Sequence, residues 1–261
     1  MILAVDQLAK RFPGGIIAVS DVSFSADAGE LIALVGESGC GKTTTLKCIN
    51  RLHEPSGGSV RINGQDIQTV DPVGLRRSIG WVMQGDGLFP HLTAAQNIAV
   101  APRLLGWDVA RIAKRVDELL ELVRLDPGQY RDRLPRQMSG GQRQRIGVAR
   151  ALAADPKLVL MDEPFGALDP ITRDGLREDF AALQAQLGFA AVMVTHDMAE
   201  ALLMADRIAV MDEGRLLQYD TPSALLANPA GDVVSRMLES PLREAGRVAA
   251  LKADAEGGRH A

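Results

Sequence analysis

A glycine-rich octapeptide near the start of the chain has the spacing of a loop that binds phosphate groups. It follows the apolar run LIALV at 31–35, which is typical of a strand buried on both faces of a parallel sheet, and precedes a helical pattern starting near Thr43. Glycines let backbone N–H groups turn toward phosphate oxygens, and the helix N-terminus adds positive potential. The loop comprises Gly36, Glu37, Ser38, Gly39, Cys40, Gly41, Lys42 and Thr43, followed by Thr44.

Two side chains of this loop have the chemistry that a nucleotide site needs. Lys42 is expected to hold the β- and γ-phosphates, and Thr43 to bind Mg²⁺. The alternative is a glycine-rich turn that binds no ligand. We favour the phosphate site because the strand, the lysine and the hydroxyl all fall in the required order.

A pair of carboxylates follows a second apolar run. In LVLMDEP, Asp162 ends a predicted buried strand, where it can bind magnesium through water. Glu163 comes directly after it, where it can orient or deprotonate an attacking water molecule. The alternative is a solvated acidic pair at a strand end.

The elements that must position these residues form an alternating pattern of strands and helices. Apolar runs at 158–161, 190–194 and 207–211 resemble the run before the glycine-rich loop, and 173–187 has helical periodicity. This pattern predicts an α/β fold. We expect a P-loop NTPase (RecA-like) core, preceded by an antiparallel β subdomain and interrupted by an α-helical subdomain over about 98–155.

Domain boundaries follow from where this pattern stops. The core is expected to end near residue 229, which gives one domain over 1–229. Residues 230–261 are too few for another independent domain, so we expect a docked or frayed tail.

The overall composition is that of an ordinary globular protein. Of 261 residues, 46% are hydrophobic and 24% charged, and the formal net charge of −4 gives no reason to expect a nucleic-acid partner. No apolar run approaches the roughly 20 residues that cross a bilayer, and the N-terminus lacks the order of a signal peptide. We therefore expect the chain in the cytoplasm.

Cysteine usage supports neither a disulfide framework nor a zinc site. Cys40 and Cys48 are the two cysteines, and no second cysteine pair or histidine pair lies beside them. Both are expected to be free thiols. Cys40 is either an accessible thiol that bound nucleotide protects from alkylation, or a buried and inert one.

The segment Met138-Ser139-Gly140-Gly141-Gln142 resembles the LSGGQ signature of ABC-type ATPases, with Met in place of Leu. It lies 20 residues before Asp162, ahead of a helical stretch, and the resemblance extends from about residue 3 to residue 229. In that family this segment faces the γ-phosphate of ATP held by the opposite subunit. The resemblance therefore implies ATP and Mg²⁺ as ligands, ATP hydrolysis, and a dimer with an identical or closely related subunit.

Further family elements are matched one residue at a time. Gln84 resembles the glutamine that reaches magnesium and the lytic water, and Asp169 lies in a segment, 166–169, that resembles the loop crossing the dimer axis. His196, in VTHDMAEAL, resembles the histidine that contacts the γ-phosphate. Phe12 aligns with the aromatic residue on which adenine stacks, although it could instead belong to the core. The other histidines, His53, His91 and His260, match no family element.

Several stretches resemble a narrower group, the ATPase subunits of importers of quaternary-amine osmoprotectants such as glycine betaine, choline, carnitine and proline. These stretches are 87–107, 115–127, 163–173 and 205–222. The resemblance implies transmembrane permease subunits as direct partners and an extracytoplasmic solute-binding protein as an indirect one. It places the chain on the cytoplasmic face of the cell membrane.

Other functions stay open at this stage. The segment EPFGALD also resembles the ATPase subunits of sulfonate and nitrate importers, so an importer of a sulfonate, nitrate or an amino acid is an alternative. A soluble ABC ATPase of the ribosome or DNA-repair type would need a second ATPase core or a long coiled coil, and an exporter half would carry its own membrane span. The sequence shows none of these features.

Overall fold

The computed structural model describes residues 1–85, 87–166 and 168–257, in which two β-sheets are surrounded by helices. The strands are β1 Leu3–Arg11, β2 Ile17–Ala26, β3 Leu31–Val35, β4 Gly57–Ile62, β5 Gln65–Asp66, β6 Ile79–Val82, β7 Leu158–Asp162, β8 Ala190–Thr195, β9 Arg207–Asp212 and β10 Arg215–Asp220. The helices are α1 Lys42–Ile49, α2 Pro72–Ser78, α3 Ala94–Ile98, α4 Val100–Leu104, α5 Val109–Leu122, α6 Pro127–Tyr130, α7 Gly140–Leu152, α8 Pro170–Leu187, α9 Met198–Met204, α10 Pro222–Ala227 and α11 Gly231–Gly257, with 3-10 turns at Ile67–Thr69 and Pro135–Gln137.

The larger sheet has the strand order β10-β9-β3-β8-β7-β6. Strands β9, β3, β8, β7 and β6 are parallel, and β10 joins the edge by an antiparallel hairpin with β9. Helices must cross over between parallel strands, which is why the strand and helix patterns alternate in the sequence. The predicted α/β core is confirmed.

The smaller sheet has the order β2-β1-β4-β5, and each neighbouring pair of strands is antiparallel. Its apolar side chains pack with α1 and with one face of the larger sheet in a common core. The predicted antiparallel β subdomain is thus present, and it lies directly against the helix that follows the glycine-rich loop.

Strand β3 shows how both faces of the larger sheet are covered. Leu31, Ala33 and Val35 face a core shared with α5, α7 and α8, whereas Ile32 and Leu34 face the core shared with the smaller sheet. All five side chains are buried, as the continuous apolar run predicted. Residues before and after β3 therefore have little freedom to move.

Helices α3 to α7 occupy Ala94 to Leu152, in the stretch for which the sequence predicted a helical subdomain. In α5, the apolar stripe of Ile112, Val116, Leu119 and Leu120 is buried, and Asp108 caps the first turn by accepting a hydrogen bond from the N–H of Arg111. The C-terminal half of α7 also packs on β6, so the helical region is continuous with the main core.

The tail forms α11, whose first turns are docked. Val234 and Leu238 are buried, and the helix contacts α9. Farther along, past Pro241 inside the helix, Leu242 and Leu251 are exposed. The division into a domain over 1–229 and a tail stays a prediction. Within the described ranges, no helix combines the length and apolar character needed to cross a bilayer.

Candidate functional site

The carboxyl ends of four neighbouring strands bring the predicted residues together. The glycine-rich loop follows β3, His196 follows β8, Asp162 and Glu163 lie at the end of β7, and Gln84 follows β6. These strands are adjacent in the order β3-β8-β7-β6. Because parallel strands end at the same edge of a sheet, residues far apart in sequence meet there, and ligands of open α/β sheets bind at this edge.

The loop conformation depends on glycines at two points. Gly36 has φ +155°, and a Cβ there would lie 2.2 Å from the carbonyl oxygen of Met211. Gly41 has φ +101°, and its Cβ would lie 2.3 Å from the carbonyl oxygen of Ala18. Neither position accepts a side chain without moving backbone. The loop is therefore held between the end of β9 and strand β2.

Lys42 places a buried cation inside this loop. Its ammonium group donates hydrogen bonds to the carbonyl oxygens of Gly36 and Glu37 at 2.7 and 2.8 Å, and the residue is 6% exposed. No carboxylate in the described parts of the chain pairs with it. A buried charge without an ionic partner is costly, so the loop favours an anion beside Lys42.

Asp162 and Thr43 meet next to the lysine. The Thr43 hydroxyl donates to a carboxylate oxygen of Asp162 at 3.0 Å. Burial raises the pKa of Asp162 above its ordinary value of 3.8, against the hydrogen bond from Thr43, which lowers it. The carboxylate is thus short of compensating positive charge.

These two residues fit a magnesium ion. Mg²⁺ prefers oxygen ligands and is commonly held by one or two carboxylates together with substrate phosphates and water. In the described residues, no group of three His, Cys, Asp or Glu side chains forms a metal site of its own. A hydroxyl and one desolvated carboxylate beside a phosphate loop match a site that the protein and its substrate build together. In such a site the substrate phosphates and water supply the remaining oxygen ligands.

Glu163 is the centre of a second polar group. Its carboxylate accepts a hydrogen bond from the Gln84 side-chain amide at 3.0 Å and lies 3.5 Å from Nδ1 of His196. Its backbone N–H donates to the carbonyl of Val194 on β8, and its φ of +46° is unusual for a residue other than glycine. The backbone bond and the turn after β7 point this carboxylate toward its two partners.

The signature segment lies at the start of α7. Ser139 is the N-cap and accepts from the N–H of Gln142, while Gln142 reaches back to the N–H of Ser139 and also donates to Tyr130. Gly140 and Gly141 form the first turn, so their N–H groups point out of the helix end. A Cβ on Gly141 would lie 2.4 Å from Cγ2 of Thr172 in α8.

The signature and the phosphate loop have separate surroundings within one chain. The signature packs against the start of α8, whereas the phosphate loop packs against β9 and β2. Asp169 caps α8 by accepting from the N–H of Thr172, and this bonding lowers the pKa of the Asp169 carboxyl. Ala167, in the predicted 166–169 loop, lies outside the described residues, as does His260.

Phe12 lies at the mouth of a cleft beside β1 and β2, not in the core. Its ring meets the edge of His53 at 5.3 Å, and the Lys10 ammonium lies 5.0 Å from the ring centre. No role for His53 is predicted from the sequence. Burial lowers the pKa of His53, with help from the charges of Lys47 and Lys10.

Both cysteines are buried free thiols. Cys40 is 4% exposed, and its sulfur lies 3.7 Å from Nζ of Lys42. This burial favours the inert alternative for Cys40; protection from alkylation by nucleotide stays a prediction. Burial raises the pKa of Cys48 to about 11.

The tail also borders the site, which the sequence did not indicate. A cleft of about 500 Å³ is lined by Glu37 and Ser38 of the loop, by His196, and by Arg236 and Ser240 of α11. Arg236 is 198 residues from Ser38 in the chain, and the docking of α11 on α9 brings the two together. No local pattern in the sequence reveals that contact.

The glycine-rich loop follows β3, and the carboxylate ends β7 of the same parallel sheet. This arrangement defines a P-loop nucleotide-binding protein. Residues 19–166 match the family model described as ABC transporter. The chain belongs to the ABC transporter family, and the predicted resemblance is confirmed.

Curated relatives include the carnitine transport ATP-binding protein OpuCA of Listeria monocytogenes, 53% identical over 89% of this chain and 58% of that protein. The glycine betaine/carnitine/choline transport ATP-binding protein OpuCA of Bacillus subtilis is 52% identical over 90% of this chain and 62% of that one. The osmoprotectant import ATP-binding protein OsmV of Salmonella typhimurium is 52% identical over 83% and 57%. The chain thus spans about three fifths of the length of these relatives.

Solved structures agree on the fold. CbiO1 of Clostridium perfringens, part of the ABC transporter complex cbiONQ, superimposes with a TM-score of 0.81 at 27% identity, over 95% of this chain and 98% of that one. The ATP-binding cassette MJ0796, in a dimeric post-hydrolysis state bound to ADP and Pi, superimposes with a TM-score of 0.75 at 31% identity, over 85% and 99%.

Asp162→Asn should raise the free energy of unfolding in the absence of nucleotide and Mg²⁺. From its ordinary pKa of 3.8 upward, Asp162 ionises more readily in the unfolded chain than in the folded one. Its contribution therefore lowers stability as pH rises through this window, and the loss is complete above the raised pKa. Urea unfolding between pH 4.5 and 8 should show that the free energy of unfolding of Asp162→Asn exceeds that of wild type, by the largest margin at the upper end of this range.

With saturating ATP and Mg²⁺, wild type should become more stable than Asp162→Asn. Ligands that bind only the folded state stabilise it, and wild type is expected to bind them better. Asp6→Asn, on an exposed position of β1, controls for the change in net charge. A variant less stable than wild type at every pH without ligand would contradict the account of Asp162.

Proposed function

We propose that this chain binds and hydrolyses ATP as the nucleotide-binding subunit of an ABC importer. The observation that supports it most is the buried ammonium of Lys42, whose partners inside the glycine-rich loop are two backbone carbonyls and the sulfur of Cys40, with no carboxylate among them. A triphosphate would supply the missing negative charge, and the loop N–H groups and the start of α1 would add further donors.

Gly36 to Thr44 would hold the phosphates, and Phe12 would offer a ring face to adenine. Thr43, Asp162 and Gln84 would hold Mg²⁺. The ion would neutralise negative charge on the phosphate oxygens, including the charge that develops on the leaving oxygen.

Glu163 is the proposed base for the attacking water. Its carboxylate can accept a proton, and Gln84 and His196 on either side can fix the water and the γ-phosphate. In this arrangement the three side chains orient the nucleophile, while Lys42 stabilises the charge that develops on the phosphate oxygens.

A second subunit would complete each site. In one chain, Ser139 to Gln142 lie beside α8, and the phosphate loop lies at the end of β3. The first-turn N–H groups of α7 are suited to an anion but have no phosphate loop of their own beside them. We propose that they face ATP bound by the partner chain, with Asp169 near the dimer axis.

A groove of about 490 Å³ is the proposed docking surface for a transmembrane permease. Met83 and Phe89 line it beside three arginines, Arg76, Arg77 and Arg150. Met83 precedes Gln84, which bonds to Glu163. A permease segment in this groove would therefore lie next to the site around Glu163. Met83 and Phe89 themselves are exposed apolar side chains. This docking would hold the chain at the cytoplasmic face of the membrane.

The proposed solute is a quaternary-amine osmoprotectant such as glycine betaine, choline or carnitine. This step is supported by the relatives at 52 to 53% identity, which are named for the transport of carnitine, of glycine betaine, carnitine and choline, and of osmoprotectants. It is also supported by resemblance in 87–107, a stretch that includes Gly87, Phe89, Val100 and Ala101 of the proposed permease groove. Selectivity would come from the permease and an extracytoplasmic binding protein, in which aromatic faces attract a cation that cannot donate hydrogen bonds.

Glu163→Gln should abolish most ATP hydrolysis and leave ATP binding intact. The change removes the proton acceptor and keeps the phosphate loop, so turnover should fall by at least roughly 10²-fold, a typical loss for an acid-base group. Lys42→Ala is the matched comparison, because it should weaken ATP binding itself. Steady-state ATPase assays and equilibrium binding of a fluorescent ATP analogue separate the two effects. Near-normal turnover of Glu163→Gln would remove Glu163 from its proposed role.

Uptake assays test the solute. Cells lacking this chain and other betaine importers should fail to accumulate labelled betaine, choline or carnitine at high osmolarity. Wild type should restore uptake, and Glu163→Gln should not. Unchanged uptake of all three solutes, with failed import of sulfonate, nitrate or an amino acid, would contradict the osmoprotectant assignment and favour another ABC importer.

A further inference from the structure

A partly buried ion cluster lies beside the turn that carries His196; its Asp197 and Asp174 side chains are 35% and 73% exposed. The Arg177 guanidinium, on α8, donates to one carboxylate oxygen of Glu200 from Nε and Nη2, at 3.1 and 2.8 Å. It also lies 3.6 Å from Asp197 and bonds to Asp174 at 3.2 Å. The Glu200 side chain is 5% exposed and that of Arg177 14%. We call these four residues the Arg177 cluster.

The cluster fixes the turn that carries His196. Asp197, the next residue, donates its N–H to the Thr195 hydroxyl at 3.0 Å and caps α9 by accepting from the N–H of Glu200 at 3.1 Å. Arg177 binds the side chains at both ends of this cap. His196 therefore sits between β8, which is fixed by the sheet, and a cap that is fixed by α8.

Helix α8 also contacts the part of the chain proposed to serve the other ATP site. It begins after Asp169, and Thr172 in its first turn packs against Gly141 of the signature. Arg177 lies five residues farther along the same helix. A rigid helix thus joins the signature of one site to the histidine of the other.

Net stabilisation does not explain why the charges of Arg177 and Glu200 are buried. Removing charges from water offsets most of their attraction, and buried ion pairs can often be replaced by apolar side chains with no loss of stability. Their best-attested benefit is to fix one geometry among several. The cluster has one cation for three carboxylates, so losing Arg177 would leave Glu200 and Asp197 to repel each other.

We propose that Arg177 is a positioning residue for ATP hydrolysis, which holds His196 beside Glu163 through Asp197 and Glu200. This inference rests on the proposed ATPase function. Arg177 touches neither Glu163 nor the phosphate loop in the described contacts, so its effect on turnover must pass through the His196 turn.

Arg177→Met should lower kcat for ATP by roughly 10- to 100-fold, the range expected when a reacting group is displaced by about an ångström. The KM for ATP should change little, because the phosphate loop is untouched. In a His196→Ala background, Arg177→Met should cause no further fall in kcat, because the side chain through which Arg177 is proposed to act is already absent. A full additional loss in that background would overturn the proposal.

Arg115→Met is the matched control. Arg115 is also 14% exposed, pairs with a carboxylate, Asp155, and bonds to a backbone carbonyl, that of Leu152. It lies on α5, outside the residues assigned to the site. Its substitution should lower the melting temperature and leave kcat unchanged; an equal fall in kcat would show that any lost buried arginine has this effect.

A double variant, Arg177→Met/Glu200→Met, separates positioning from stability. Replacing both charges by apolar side chains should recover the melting temperature lost in Arg177→Met, because no unpaired charge stays buried. It should not recover kcat, since Asp197 still lacks its guanidinium partner. Recovery of both together would show a merely structural role and contradict the proposal.

Histidine NMR provides a readout that needs no turnover. In protein labelled with ¹³C-histidine, the His196 signal is assigned by its loss in His196→Ala. Arg177→Met should move that signal and leave those of His53 and His91 in place; Arg115→Met should move none. If wild type hydrolyses no ATP, the ATPase proposal fails, while an unmoved His196 signal refutes the positioning role by itself.

Discussion

Close contact between the phosphate loop and two neighbouring backbones is the constraint on which this structure depends. A single added Cβ at Gly36 or Gly41 would lie within 2.3 Å of a carbonyl oxygen, from Met211 or Ala18. Met211 belongs to the larger sheet and Ala18 to the smaller one. The shape of the loop therefore depends on how the two sheets pack together, so the β subdomain contributes to a site that is built on the α/β core.

Charge placement follows from that loop. Lys42 is buried among backbone carbonyls, and Asp162 is desolvated near it, yet neither has a full ionic partner in the described residues. Fixed charges in a site with little water act strongly on a bound ligand, because they need not reorganise when it arrives. In the proposed function, the groups that are costly to bury in the ligand-free protein are therefore those that would favour a bound triphosphate and its metal ion.

The sequence predicted the parts of the site that depend on local order along the chain. The run 31–35, the glycine-rich loop and LVLMDEP each combine a buried strand with a functional residue at its end, so strand order alone brings them to one edge. The signature was equally clear, because Ser139 and Gln142 form a capping box that is local in sequence.

The sequence did not predict contacts that depend on the packing of distant elements. Arg177 and Glu200 are 23 residues apart, on helices whose relative position only the sheet determines. The contact of Phe12 with His53, the burial of Cys40 and the docking of α11 near Ser38 have the same origin. The left-handed backbone of Glu163 is also unpredictable from its residue type, since glutamate rarely adopts it.

The central claim is that two chains share each ATP site, and mixing two inactive variants tests it most directly. Lys42→Ala damages the phosphate loop, and Ser139→Arg blocks the start of α7. In a heterodimer both defects fall in one composite site, which leaves the other site intact. The mixture should hydrolyse ATP although each variant alone does not, and mixing Lys42→Ala with wild type should show that one working site suffices. If that control retains activity while the mixture of variants has none, the shared-site geometry is contradicted.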